Sequence, residues 1–448
     1  MNVFFHTFGC RANQYDTELV RQAFSDQGAT VVDDPTQADL AVVNSCTVTH
    51  TAEAKLRTFV RRLARGWTID TVVMGCAAAT DDGTLAALPS VRAVVGGADP
   101  AAVLRAAGYA TPRVDTVLRR FHTNARAWLK IQDGCDEHCT FCATTIARGA
   151  NRSRPIAELV EEARALSENH TEIVLTGVHI GTYGLDGVRG GLTPGRRPGV
   201  IEGRLPSSPG RRPGAPKDRI LRSPGRRPGV NTPDRAPSLG VLLEALVSAV
   251  PHVRYRLSSI EATEVDDHVA KLLIEAPRHL ASHIHAPLQS GANPVLRRMG
   301  RHWYTAESYR ARLEWLAERL PVFGLGADII AGFPGETDAD HRATLDLIQA
   351  TPFTYLHVFP FSVRPDAPAA RMGRGVPAAV IRERARELRE LGDAKAAAHR
   401  AGRRGAQADG VVSGHLNGKV DVLTEDYLSV YLPSDRWDGR ARLPITVD

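Results

Sequence analysis

The sequence predicts an α/β protein in three parts. An N-terminal parallel-sheet α/β domain spans residues 1–110, a complete or partial TIM-like (β/α) barrel spans 122–365, and a charged helix with a small β module closes the chain over 376–448. Three observations carry this reading. Short apolar runs alternate with stretches of helical periodicity over the first hundred residues, as in a layered α/β sheet. The same alternation resumes at Ala127 and continues to about Leu356. From Asp409 onward, apolar and polar residues alternate in short stretches, the pattern of half-buried antiparallel strands.

In the first part, Val3–Phe8 reads as a buried strand that runs into Gly9-Cys10. Asp16–Gln27 has helical spacing of Leu19, Val20, Ala23 and Phe24. Leu40–Val43 is a second strand ending in Asn44-Ser45-Cys46, and Ala52–Arg65 is a helix with Arg57, Arg61, Arg62 and Arg65 outward. Thr71–Met74 is a third strand, ending in Gly75-Cys76. Strands separated by helices pair in parallel, so Cys10, Cys46 and Cys76 all follow carboxyl ends of strands, along the sheet edge where ligands bind. Three thiols in one structural position point to a metal site; the plainer alternative is three small buried hydrophobes.

A linker near Ala110–Asn124 leads to the barrel. Expected strands are Trp128–Gln132, Ile173–Thr176, Arg254–Ser258, His283–His285, Gly326–Ile330 and Phe353–Phe359. Helices are expected at Ile156–Asn169, opened by Pro155, and at Leu239–Val250 and Glu264–Glu275. That series suits a complete or partial barrel. A segment at 183–237 interrupts it with eleven Arg, one Lys and only four acidic residues. Pro-Gly-Arg-Arg-Pro-Gly recurs there from Pro194, Pro209 and Pro224. With almost no apolar surface to bury, the segment reads as a disordered basic insertion, either tolerated without function or touching RNA phosphates. In the last part, Ala378–His399 is a charged helix, and the strand around Arg403–Val411 is expected to be poorly formed.

Composition excludes several classes. At 43% hydrophobic and 24% charged residues the 448-residue chain reads as an ordinary globular protein. No apolar run approaches the ~20 residues of a membrane helix, and no secretory signal opens the chain. A cytoplasmic address and no membrane partner are expected. The formal charge of +6 comes from the insertion, which alone contributes +8 and leaves about −2 elsewhere. The basic stretch 371–404 is a candidate RNA contact or a solvated helix face. Six cysteines could form three disulfides, but a large chain without a secretory signal has little use for them.

The spacing of the remaining cysteines is more specific. Cys135, Cys139 and Cys142 form a CxxxCxxC triplet. Three thiolates within eight residues suit three irons of a [4Fe–4S] cluster, whereas a structural zinc site wants four ligands. Zinc with a fourth ligand such as His138 is the alternative.

On these residues the sequence resembles the methylthiotransferase branch of the radical S-adenosylmethionine (SAM) superfamily. Matching stretches include Thr7–Glu18, Ala147–Gly149, Leu175–Gly181, Leu257–Glu261, Pro287–Gly291 and Asp328–Thr337, nearly the whole chain outside 183–237. The resemblance implies a radical SAM barrel whose triplet cluster leaves one iron for SAM, cleaved reductively to a 5′-deoxyadenosyl radical. It also implies a second [4Fe–4S] cluster, on Cys10, Cys46 and Cys76, that carries the sulfur to be transferred. One SAM would methylate that sulfur and a second would supply the radical. Phe141 would lie near the SAM adenine, Thr176 and Gly177 near its amino group, and Ser259 and Glu261 among its other contacts. Arg148, Arg152 and Arg154 would meet cofactor or RNA phosphate. The C-terminal module resembles the family's TRAM domain through Thr424–Leu428.

Within the branch, Asn13-Gln14-Tyr15-Asp16-Thr17-Glu18 resembles the MtaB-like subgroup. Its members modify C2 of N6-threonylcarbamoyladenosine beside the anticodon. The implied partners are a tRNA anticodon stem-loop and an electron donor such as flavodoxin or ferredoxin. Isopentenyladenosine tRNA or a ribosomal-protein Asp are the alternative substrates, and a non-catalytic iron–sulfur RNA-binding protein is the alternative of another class.

Overall fold

The computed structural model describes residues 1–47, 50–67, 69–122, 125–186, 238–364, 366–373 and 375–448. Nearly all of the 183–237 insertion therefore lies outside the described residues.

The N-terminal part is built on β1 (Asn2–Thr7), α1 (Arg11–Asp26), β2 (Thr30–Val32), β3 (Leu40–Ser45), α2 (His50–Gly66), β4 (Asp70–Gly75), α3 (Cys76–Ala79), β5 (Val91–Gly96) and α4 (Pro100–Ala106). Its five strands form one sheet in the order β2-β1-β3-β4-β5, and every pairing is parallel. Every residue of β3 is buried, as expected of a central strand covered on both faces. The short β2 and the half-exposed β5 were not among the expected strands; neither has the strong apolar run that marks the inner three.

The barrel comprises β6 (Ala127–Lys130), a short ribbon of β7 (Gln132–Asp133) and β8 (Arg152–Ser153) around α5 (Thr144–Arg148), then α6 (Ile156–Ser167) and β9 (Glu172–Thr176). It continues through α7 (Leu239–Ala249), β10 (Arg254–Leu257), α8 (Asp267–Glu275), β11 (His283–His285), α9 (Asn293–Arg298), α10 (Ala306–Ala317), β12 (Gly324–Ala331), α11 (Asp338–Ala350) and β13 (Tyr355–Pro360). Two parallel three-stranded sheets, β6-β9-β10 and β11-β12-β13, meet through the bridges Tyr255–Leu280 and Ser259–His285. The result is an open six-stranded arc, a partial barrel. Local chemistry starts its helices cleanly: Thr305 with Ser308, and Thr337 with Asp340, form capping boxes at α10 and α11.

Helix α12 (Ala378–Arg403) leads to β14 (Gln407–Leu416), β15 (Lys419–Leu423), β16 (Ser429–Pro433) and β17 (Arg442–Thr446), an antiparallel sheet ordered β16-β15-β14-β17. The strand expected to be poorly formed is ten residues long and pairs on both sides. Its glycines and polar residues hid it, because cross-strand partners rather than its own apolar content hold it.

This module seats against the amino ends of the barrel strands. Arg254 and Arg256 are fully buried, ion-paired to the equally buried Glu172, and donate to backbone carbonyls of Leu423 and Thr424 at 3.1 and 2.8 Å. Burial alone would raise the Glu172 carboxyl, but Arg256, Arg254 and Arg126 outweigh it and hold the group well below its ordinary value. At Gly324 the two parts come so close that a Cβ would lie 2.1 Å from the Asp426 carbonyl oxygen.

Candidate functional site

Because β1, β3 and β4 are neighbours in the sheet, their carboxyl ends deliver Cys10, Cys46 and Cys76 to one cavity of about 600 Å³. Cys10 is exposed to it, while Cys46 and Cys76 are buried in its wall. Asn13, on the first turn of α1, organises the group. Its Oδ1 lies 3.4 Å from Cys10 Sγ and 3.8 Å from Cys76 Sγ, and its Nδ2 donates to the Ser45 carbonyl at 2.8 Å. Gly9 has φ +128°, and a Cβ there would press within 3.0 Å of Cys46 Cβ, so only glycine lets β1 end against this thiol. Burial raises the Cys76 thiol above its ordinary pKa; the Arg148 guanidinium, 3.2 Å from Sγ, works the other way.

Cys135, Cys139 and Cys142 sit on the loop between β7 and α5, all partly exposed. Each has a polar neighbour fixed by the barrel. Cys135 Sγ is 3.6 Å from His179 Nδ1, and His179 is held by Glu264 at 2.9 Å. Cys139 Sγ is 3.6 Å from Arg301 Nη1, and Arg301 is paired to Glu261. Burial pushes the Cys139 thiol up to about 12, with Arg301 opposing it. Cys142 Sγ meets Thr144 through its hydroxyl at 3.0 Å and its amide at 3.3 Å. Thr144 in turn lines the same cavity as Cys10, Cys46 and Cys76.

The donor chemistry fits iron–sulfur clusters. The six cysteines fall into two groups of three, each with a cation beside a thiol to offset thiolate charge. Beside the barrel triplet, Glu261 Oε2 is buried without a hydrogen-bond partner, an acceptor suited to an amino group or ribose hydroxyl of a bound cofactor.

Of the other expected contacts, Thr176, Gly177 and Ser259 line the shared cavity. Glu261 does not line it, and its Oε1 is taken by Arg301. Phe141 packs against the apolar cluster of Ala292, Val295, Met299, Phe333 and Ala369. The arginines divide. Arg148 is committed to Asp16 and Asp133 at 2.9 Å each, and Arg154 to Glu162 at 2.8 Å, so neither is free for RNA phosphate. Arg152 is exposed, and its guanidinium bonds the backbone carbonyls of Ala150 and Arg148.

The run Asn13-Gln14-Tyr15-Asp16 turns out to join the two domains. Asn13 accepts from Arg148 at 2.8 Å, and Gln14 accepts from Trp128 Nε1 at 2.6 Å. The Tyr15 hydroxyl meets Glu162 and Arg154 at 3.2 and 3.0 Å, and Asp16 pairs with Lys130 as well as Arg148. Sequence reasoning singled out this run but assigned it no contact.

Three further features escaped it. His285, Asp328 and His357, from three adjacent strands, bring their ligand-type atoms within 4.8 Å of one another on the cavity wall. Burial raises the Asp328 carboxyl, but hydrogen bonds from His285 and His357 outweigh it and hold it well below its usual range. Arg301 follows a turn glycine with no motif around it. Tyr427 comes from the C-terminal module and still reaches the cavity, a contact no local pattern announces.

Comparison with known proteins bears on this arrangement directly. Residues 2–96 match the uncharacterized protein family UPF0004, and 129–348 match the radical SAM superfamily. A threonylcarbamoyladenosine tRNA methylthiotransferase of Bacillus subtilis is 35% identical over 410 residues, covering 87% of this chain and 80% of its own. One from Thermotoga maritima is 32% identical, covering 86% and 80%. A tRNA-2-methylthio-N(6)-dimethylallyladenosine synthase of Novosphingobium aromaticivorans is 31% identical, covering 85% and 80%. In fold, the chain is similar to the radical SAM methyltransferase TsrM of Kitasatospora setae, with a TM-score of 0.57 at 14% identity over 82% of this chain and 76% of that one. Among the described residues no helix is long and apolar enough to cross a membrane. The superfamily match implies SAM and a [4Fe–4S] cluster. With both family regions present in order, and relatives of this identity spanning most of its length, the chain belongs to the radical SAM tRNA methylthiotransferases, enzymes of the transferase type.

Proposed function

We propose that this enzyme converts N6-threonylcarbamoyladenosine beside the tRNA anticodon to its 2-methylthio derivative, using two SAM per product. One observation carries the reading: Thr144, which contacts Cys142, shares a cavity with Cys10, Cys46 and Cys76. A radical site and a sulfur-carrying site must face one substrate atom, and a common cavity supports that reading. Cys135, Cys139 and Cys142 would hold the cluster that binds SAM, and the other three a sulfur-carrying [4Fe–4S] cluster. Reductive cleavage of the sulfonium and delivery of sulfur are the chemistry those groups supply when bound.

The chain's own residues do the rest. Asn13 spaces Cys10 from Cys76, and Arg148 and Arg301 each set positive charge beside one thiol. Thr176, Gly177 and Ser259 shape the wall where SAM would lie, and Glu261 Oε2 offers an acceptor behind it. The cavity is lined by residues of all three parts of the chain, among them Cys76, Ser259 and Tyr427. The three relatives modify two kinds of adenosine, so isopentenyl-type tRNA is the second reading. A reduced flavodoxin or ferredoxin would supply electrons, in a cytoplasmic setting.

Anaerobic reconstitution followed by iron and sulfide analysis and EPR, with and without SAM, tests the two-cluster reading. About eight irons per chain, from two four-iron clusters, and a SAM-dependent spectral change are expected. About four irons would remove the sulfur-carrying cluster, and zinc in place of iron would overturn the proposal.

A further inference from the structure

Among the described residues of the cavity wall, Arg11 is an arginine without a carboxylate partner. Of the two arginines lining the cavity, Arg148 is neutralised by Asp16 and Asp133. Arg11, which follows Cys10 directly, has no carboxylate partner among the described residues. It lies over the Trp128 indole at 5.5 Å and makes one hydrogen bond, from Nη2 to the Tyr427 hydroxyl at 2.9 Å. The nearby acid is already engaged, since Asp328 is bonded by His285 at 2.9 Å and lies 3.3 Å from His357 Nδ1. Arg11 thus keeps most of its five N–H donors for something that enters the cavity.

Tyr427 shows that this arrangement is held at a cost. It stands at φ +72°, a left-handed backbone that a bulky side chain rarely adopts. That conformation lets its ring stack on His283 at 4.4 Å and on Tyr355 at 5.2 Å, with its hydroxyl on Arg11. The C-terminal module therefore fixes the direction of a guanidinium that belongs to the N-terminal domain.

We propose that Arg11, oriented by Tyr427, receives the carboxylate of the N6 substituent and so selects an acidic N6-modified adenosine over an apolar one. The inference rests on the function proposed above: a threonylcarbamoyl group ends in a carboxylate, whereas an isopentenyl group carries no charge. A guanidinium meets a carboxylate with two parallel charge-assisted hydrogen bonds, and an uncharged group leaves those donors unpaired. Tyr427 is a positioning residue, and Arg11 the specificity residue.

The test uses the reconstituted full-length enzyme and three anticodon stem-loops, carrying N6-threonylcarbamoyladenosine, its carboxamide, or N6-isopentenyladenosine. Affinity is measured without reductant and kcat/KM with it. The unaltered enzyme should bind and turn over the acid about 10- to 100-fold better than the carboxamide, the range for a hydrogen bond to a charged group. Arg11→Gln should erase that ratio and Arg11→Lys should restore part of it. Tyr427→Phe should shrink it with unchanged cluster content. If the unaltered enzyme modifies acid and carboxamide alike, or if Arg11→Gln keeps the ratio, the inference is overturned while the proposed function stands. If the enzyme modifies the isopentenyl stem-loop and ignores the acid, the proposed function falls and this inference with it.

Discussion

The two groups of three cysteines are brought together by opposite routes. Cys135, Cys139 and Cys142 share one loop, and their spacing alone places them together. Cys10, Cys46 and Cys76 lie 36 and 30 residues apart and meet because a parallel sheet sets β1, β3 and β4 side by side. The supports differ accordingly. His179, Arg301 and Thr144, which attend the loop, all belong to the barrel. The strand-end group is attended by Asn13 from its own domain and by Arg148 from the other. A loop site is therefore as stable as its loop, while a strand-end site is as stable as the sheet and the interface behind it.

Substitutions at the cysteines should separate the two groups most sharply. Cys135→Ala should abolish 5′-deoxyadenosine formation, and normal formation would remove the triplet from the proposed chemistry. Cys46→Ala should leave that formation intact while methylthio product disappears by mass spectrometry; full product would refute a sulfur-carrying role.

Glu172→Ala gives the next largest effect, on stability rather than chemistry. It takes the buried carboxylate from Arg256 and leaves Arg254 with Asp409, at a cost of roughly 3–5 kcal/mol in thermal or denaturant unfolding. It should not favour one cysteine group over the other, and selective iron loss would contradict that. Its pH dependence follows from the sign of the shift. A carboxyl held below its unfolded pKa stabilises the fold above that value, and the contribution fades as pH falls through the folded one. Unfolding free energy should therefore drop below about pH 4.5, and more shallowly in Glu172→Gln.

Asn13→Ala should act on the strand-end group alone. Its buried amide serves two thiols, the Ser45 carbonyl and Arg148. Loss of about 1–3 kcal/mol is expected, with reconstituted iron falling toward four per chain. The smallest effect belongs to Gln14→Ala, which removes one interdomain hydrogen bond worth about 1 kcal/mol. Product yield should fall there before 5′-deoxyadenosine yield does; equal losses would show that the interface serves both groups.

The same contrast explains what the sequence disclosed. The inner strands of the first sheet, the barrel series and the convergence of the three scattered cysteines were legible, since buried parallel strands are short apolar runs and their carboxyl ends share an edge. Thr176, Gly177 and Ser259, singled out by the resemblance as SAM contacts, line the cavity. Side-chain contacts between distant segments were not legible. Nothing around Arg148 or Arg154 announces that acidic residues of α1 and α6 neutralise them. Strand β14 was hidden for a related reason, because its partners β15 and β17 lie beyond it in sequence. Tyr427 reaches Arg11 across 416 positions, which no local pattern can encode.

The sheet order has one more consequence, for how such a protein tolerates change in length. Cys10, Cys46 and Cys76 are anchored to strand ends, so residues can be gained or lost in the surface connections between them without moving a thiol. The CxxxCxxC loop has no such freedom, since one added residue would displace a ligand. Over time, then, insertions and deletions should accumulate between the cysteines of one group and be purged between those of the other.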